Sequence, residues 1–257
     1  MASQFPEFDF SSYNPRDPWN VPPQRLVHFA FSAMKILKPS RSKWLRIKPY
    51  PDIRSVAFHE LHAECHSLGV QSMLMRENAR SLEWWNAQPE LSGRLDKQAM
   101  LANNIALRGM LRYGFVQMLS RELEAVFRQV LRNLDPEARE NKGAGFRKVW
   151  KALLAQTGLE HYEPVIQLLL VIRDSTLHNG KFCPVNRKNL RIRYKDKTCT
   201  FLNNAEVDVQ EWGFVDMWDF ILFLVKEMNQ LLNELFESPF VALIHHIRAR
   251  SLEDPAR

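Results

Sequence analysis

A chain of 257 residues, 46% apolar and 25% charged, is long enough for one large domain or two small ones with a substantial core. That apolar share, with only 9 glycines and no glycine period, excludes intrinsic disorder and collagen-like repeats. Cys65, Cys183 and Cys199 are too few and too scattered for a disulfide framework or a Cys-only zinc site. No apolar run approaches the ~18 residues that span a bilayer, and MASQFPEFDF has no basic-then-apolar leader, so a cytoplasmic chain without a membrane partner is expected.

Eight of the 14 prolines fall in the first 51 residues. With Pro6, Pro15, Pro18, Pro22 and Pro23 set among Phe5, Phe8, Phe10, Tyr13 and Trp19, the opening 25 residues read as an extended arm whose aromatics pack on the body or on a second copy. Met34 to Arg54 then carries seven Lys or Arg against Asp52. Within it Trp44 and Tyr50 sit among cations, either to stack on bases or to pack with Lys and Arg snorkelling outward. HELHAECH places His62 and His66 at i, i+4 with His59 and Cys65 nearby, but surface or packing histidines are the expected reading and no metal is assigned. Trp84 and Trp85 are expected to bury against the body or a dimer mate.

Helical periodicity dominates the rest. Leu111 to Leu134 presents a broad apolar stripe that Asp135-Pro136 ends, and residues 94–110 either extend it upstream or form a separate helix. A shorter helix covers Phe146 to Leu154. Pro164 sits in the first turn of a strong helix over Val165 to Leu177, which Asn179-Gly180 caps in the left-handed region. From Leu190 to Leu202 the pattern switches to alternation, Leu190, Ile192 and Tyr194 on one face and Arg191, Arg193 and Lys195 on the other, which predicts a β-hairpin. Trp212 to Phe236 reads as a long buried helix, with Glu206, Asp208 and Glu211 near its positive end.

The net charge of +6 conceals a strong asymmetry. Lys181 to Thr200 holds seven basic residues (Lys181, Arg187, Lys188, Arg191, Arg193, Lys195, Lys197) against Asp196, whereas Asn204 to Phe240 holds eight acids against Lys226. Such blocks are ordinarily solvated faces, unless something chemical lies beside them. Something does: RDSTLHNG, residues 173–180, sets a guanidinium, a carboxylate, two hydroxyls, an imidazole and a carboxamide at the end of an apolar helix. Polar groups there need partners, so this end is expected to face a cleft, a ligand or another subunit.

Arg173, Asp174 and His178 follow the order Arg, polar residue, three more residues, His, and a hairpin and a long helix come after them. This arrangement resembles the HEPN superfamily (higher eukaryotes and prokaryotes nucleotide-binding domains), over roughly Leu95 to Phe236. The resemblance implies a mainly α fold: a HEPN-like helical bundle over 95–240 with one small β-hairpin, an N-terminal helical extension over 1–94 and a C-terminal tail over 241–257. It implies a metal-independent endoribonuclease that dimerises, with Arg173 and His178 of both copies lining one cleft and no cofactor. RNA supplies its own 2′-OH nucleophile, leaving the protein to move a proton and to stabilise the charged phosphorane, tasks suited to an imidazole and a guanidinium. Products with 2′,3′-cyclic phosphate and 5′-OH ends are expected. Asp174 and Asn179 would orient the pair, Ser175 or Thr176 could add a hydrogen bond, and Lys181, Arg187, Arg191 and Arg193 would contact phosphates. Family members often act as toxins or antiviral effectors, which leaves room for an antitoxin or regulatory partner. Gly180 stands where some of the toxins carry a modifiable tyrosine. The competing expectation is a non-catalytic nucleic-acid-binding or scaffolding module.

Overall fold

The computed structural model describes residues 23–78, 81–87, 96–135, 145–178 and 180–248. The Pro/aromatic arm lies almost wholly outside these residues, as do Asn179 and the last nine positions. The described part is mostly helical, with two small antiparallel two-stranded sheets.

Helices α1 (Pro23–Ile47) and α2 (Ile53–Asn78) form an antiparallel hairpin. Arg41 reaches His59 at one level, and Ala30 Cβ would lie 3.3 Å from a Cβ on Gly69 at another. A larger residue at position 69 would therefore push the two helices apart. After the short α3 (Leu82–Asn86), α4 runs unbroken from Lys97 to Leu134, capped by the Asp96 carboxylate accepting from the Ala99 amide. Residues 97–110 thus extend the Leu111 to Leu134 stripe rather than form a separate helix. The next helices are α5 (Phe146–Thr157), stopped by Gly158 at φ +71°, and α6 (Glu163–Leu177).

The expected hairpin is present. Strands β2 (Leu190–Tyr194) and β3 (Lys197–Phe201) pair Leu190 with Phe201 and Tyr194 with Lys197, turning at Lys195, whose φ is +53°. A second ladder, β1 (Lys181–Phe182) with β4 (Ala205–Glu206), frames it. The long last helix begins five residues later than its apolar pattern suggests: α7 spans Met217–Glu237, and a 3-10 turn occupies Gln210–Trp212. Gly213 at φ +81° breaks the upstream turn, and the Asp216 side chain caps the new start by accepting from the Asp219 amide. The chain closes with the short α8 (Pro239–Ala242).

One core joins these elements, from Leu26 and Phe29 on α1 through Phe127, Leu169 and Phe220 to Val241 and Ile247. Residues on both sides of positions 94 and 240 contribute to it. Trp84 packs with Met75, Met100 and Leu107 in a small satellite cluster, and nothing is described of the Trp85 side chain.

The deepest polar seam ties the two ends of the described chain together. Asp52 and Arg54, both fully buried, form a fork-to-fork pair at 2.7 and 2.8 Å. The same carboxylate accepts from the Ile247 amide at 3.0 Å, and the guanidinium donates to the carbonyls of Val241 and Ile244. Burial by itself would raise the Asp52 carboxyl, but the hydrogen bonds from Arg54 and Ile247 outweigh it and hold the group below its ordinary value. Asp52→Ala leaves a buried guanidinium without its counter-charge, for an expected loss of about 3–5 kcal/mol, read as a lower urea midpoint. A carboxyl depressed in the fold lends stability that is complete above the ordinary value of 3.8 and lost as pH falls through the lower folded value. Urea midpoints measured down that acid limb should therefore fall less steeply in Asp52→Asn than in the parent.

Candidate functional site

Helix α6 is apolar because five of its aliphatic side chains, Val165, Ile166, Leu168, Leu169 and Ile172, are fully buried. It stops at Leu177, where the His178 amide donates back to the Ser175 carbonyl and the Gly180 amide, from φ +86°, donates to the same oxygen. The i→i−3 bond tightens the last turn, and the left-handed Gly180 releases the chain into β1.

Arg173 and His178 leave this turn separately. The Arg173 guanidinium holds Asp174 Oδ1 through Nε and Nη2, at 2.9 and 2.8 Å, and its Nη1 donates to the buried Ser120 hydroxyl of α4 at 3.3 Å. Gln117, one turn before Ser120, donates to the Arg173 carbonyl at 3.5 Å. The His178 side chain is exposed, and among the described residues nothing holds its imidazole. No hydrogen bond joins Arg173 to His178 within one chain. Ser175 and Thr176 are unavailable as donors to a ligand, because their hydroxyls turn back onto the carbonyls of Ile172 and Arg173 at 2.8 and 2.6 Å. Asn179 lies outside the described residues.

Beyond the motif the cations divide into two groups. Lys181, Arg187, Lys188, Arg191 and Arg193 are exposed and, among the described residues, form no ion pair. On β2 this follows from the pleat: Ile192 and Tyr194 point inward, which turns Arg191 and Arg193 outward. Lys195 and Lys197 instead serve the fold. Lys195 pairs with the buried Glu227 at 2.7 Å, and Lys197 donates to the Trp212 carbonyl and lies over the Phe214 ring.

The acidic last helix is no solvated face either. Glu227 also accepts from the Tyr194 hydroxyl at 2.6 Å, Glu234 from Tyr162 at 2.8 Å, and Asp216 binds Arg25. Burial, followed by the bond to the carboxylate, raises the Tyr162 and Tyr194 hydroxyls above the ordinary phenol value.

Other candidate groups resolve into packing. Trp44 is buried, its indole donating to Asn233 at 2.9 Å and its ring meeting Phe236, so it offers no face to a base, although Tyr50 is exposed. Lys43, Lys48 and Arg54 of the first basic segment bond Glu237, the His245 carbonyl and Asp52. No group of three or more His, Cys, Asp or Glu side chains among the described residues is placed to hold a metal ion, the His59, His62, His66 and Cys65 set included. Cys65 is fully buried, and its thiol is pushed up to about 12, first by burial and then by Glu64.

A cavity of about 910 Å³ lies between α2 and α4. Leu68, Leu74, Met75, Leu111, Phe115 and Met118 are among its apolar lining, and Arg173 lies at its edge beside Ser120 and Arg121. Its only trace in the sequence is the polar trio Gln117, Ser120 and Arg121 interrupting the Leu111 to Leu134 stripe. No helix among the described residues is long and apolar enough to cross a membrane. No protein family, curated protein or solved structure matches this chain.

Burial separates the three thiols. Cys183 is exposed, whereas Cys65 and Cys199 are buried with their thiols raised, that of Cys199 to about 11. Titration of the folded protein with a chromogenic disulfide at neutral pH should consume one thiol promptly and all three after denaturation. In Cys183→Ser the prompt phase should vanish.

Proposed function

We propose that this chain is a cytoplasmic, metal-independent endoribonuclease that works as a homodimer, in the manner of the HEPN proteins its motif resembles. One observation carries the reading. An imidazole that none of the described residues holds, His178, stands at the polar end of a buried helix whose previous turn bears Arg173, and the chain leads from it directly into five exposed cations that form no ion pair among the described residues. A buried structural histidine is held by a neighbour, whereas one that must exchange a proton with a ligand has to be left accessible.

In the proposed reaction the 2′-oxygen attacks the adjacent phosphorus, and the bond from phosphorus to O5′ breaks. One His178 imidazole accepts the 2′ proton. The same residue of a second copy, facing it across the dimer, returns a proton to the departing O5′, leaving 2′,3′-cyclic phosphate and 5′-OH ends. Arg173 stabilises the added charge on the phosphorane, and Asp174 holds the guanidinium until substrate arrives. Lys181, Arg187, Arg191 and Arg193 track the strand. A role as a toxin or antiviral effector, restrained by an antitoxin or regulatory protein, accords with such an activity.

A second reading has its own support. Arg173 already binds Asp174 through two nitrogens and Ser120 through a third, the geometry of a satisfied structural arginine. On that reading the cations bind nucleic acid and nothing is cut.

Purified protein incubated with single-stranded RNA in EDTA distinguishes the two. The expected outcome is cleavage that persists in EDTA, spares an all-deoxy strand, and falls at least ~100-fold in both Arg173→Ala and His178→Ala. Cutting of the all-deoxy strand, or undiminished cutting by both variants, overturns the ribonuclease assignment. RNA binding without cleavage establishes the second reading.

A further inference from the structure

Helix α2 sorts its charged groups onto two flanks. Glu60 and Glu64 lie toward α4, where both act on Glu122 and Glu64 lines the groove that Arg173 edges. His59, His62 and His66, at i, i+3 and i+7, lie on the other flank, along the seam with α1. There Arg41 donates to His59 Nδ1 at 3.4 Å, and the antiparallel course that sets these two together brings Lys38, one turn earlier on α1, beside His62, one turn later on α2. A surface that has only to stay in solution intersperses the two signs of charge.

The five groups form an open row. Lys38 and His66 are exposed, Arg41, His59 and His62 are half-buried, and among the described residues none of them pairs with a carboxylate. Arg41 commits only its Nε to His59, which leaves both terminal nitrogens of the guanidinium for a ligand. His62 registers the crowding: burial first, then Arg41, His66, His59 and Lys38, hold its imidazole below its ordinary value. The chief charge effects on it thus come from Lys38 and Arg41 of α1 and from the two other histidines of α2, every one a cation or able to become one. Such groups repel one another until an anion joins them.

The shape of the row indicates which anion. From His59 to His66 it runs about 10.5 Å along α2, a length that covers about three phosphate intervals of a stacked nucleic-acid strand. Its charges recur at each helical turn, as phosphodiesters recur along a strand, whereas the carboxylates of an acidic peptide have no fixed spacing. A guanidinium fork takes two phosphate oxygens at once, and an ammonium and imidazoliums beside it add point charges. An open row of this kind grips backbone and carries no sequence information.

We propose that Lys38, Arg41, His59, His62 and His66 form a proton-linked site for the sugar–phosphate backbone of a single nucleic-acid strand, held without regard to sequence. The row lies on the opposite flank of α2 from the groove that Arg173 edges, and it does not depend on whether His178 cuts. A phosphate among the imidazoles turns their mutual repulsion into attraction. Binding therefore takes up protons, and it strengthens as pH falls through the ordinary imidazole range near about 6.5.

Histidine NMR tests it, because it reads each imidazole of the full-length chain separately. The chain, labelled with carbon-13 at Cε1 of its histidines, is titrated at low salt with a twelve-nucleotide oligothymidylate, which lacks the 2′-OH and so reports binding apart from the proposed cleavage. The resonances of His59, His62 and His66 should move with one midpoint, while that of His161, which faces Glu234, stays in place. The midpoint should tighten several-fold between about pH 8 and about pH 6. It should weaken at least ~10-fold when Lys38→Ala and Arg41→Ala are combined, and recover when Lys38→Arg and Arg41→Lys keep both charges. Three resonances that ignore the strand, a midpoint indifferent to pH, or undiminished binding in the double alanine variant would overturn the proposal. So would a response to phosphatidylserine vesicles or polyglutamate in place of the strand, and a response to inorganic triphosphate alone would reassign the row to a small oligophosphate.

Discussion

The carboxylate of Asp216 accepts the Arg25 guanidinium at 2.8 and 3.0 Å and, at the same time, the Asp219 amide that starts α7. Both side chains are only 3% exposed, so neither charge has water to fall back on. The junction sets where the last helix begins and which end of α1 meets it, and the rest of α7 repeats the arrangement. Three further polar side chains along it are met by different parts of the chain: Glu227 by the hairpin, Asn233 by Trp44 and Ser40, and Glu234 by Tyr162. A helix apolar enough to be buried nearly all round slides and rotates easily among its neighbours. Four polar anchors along its length remove that freedom.

The Asp52–Arg54 seam plays the same part at the other end. Asp52 caps α2 through the Arg54 amide, and its second oxygen reaches the Ile247 amide, so the loop between α1 and α2 and the chain after α8 are held by one buried carboxylate. Between these fastenings, α2 and α4 diverge enough to leave a groove, and the polar end of α6 opens beside it. Arg173 thus lines an open groove set against a frame that is fastened on either side.

Much of this was legible because the signals are local. Alternation marked the hairpin, Pro164 and Gly180 bracketed α6, and Asp135 closed α4. The start of α7 falls later than the apolar spacing predicts, because Trp212 continues that spacing while the deciding signals, Gly213 and the capping Asp216, are single residues. Trp44 among five nearby cations could have been a stacking platform, and only its meeting with Asn233, far along the chain, decides for packing. For the same reason the groove leaves only the trace of Gln117, Ser120 and Arg121 in the sequence: it arises where α2, α4 and α6 come together, and no window of sequence contains all three. Net charge is a partial guide in a related way: Glu206, Asp208, Glu211 and Glu237 of the acidic block are exposed, as a solvated face requires, whereas Asp216, Glu227 and Glu234 are occupied by Arg25, Tyr194 and Tyr162.

The hairpin shows what such fastening does to a surface. Its inner face is held by Tyr194 and Lys195 on Glu227 and by Phe201 against Trp212, so its backbone has little freedom left. Arg191 and Arg193 stand two positions apart on that fixed strand, about 6.8 Å from one another at the backbone. On a loose loop, ordering each residue around an incoming anion costs roughly 1–2 kcal/mol of backbone entropy. Here folding has already ordered the backbone, and only the arginine side chains remain to be stilled.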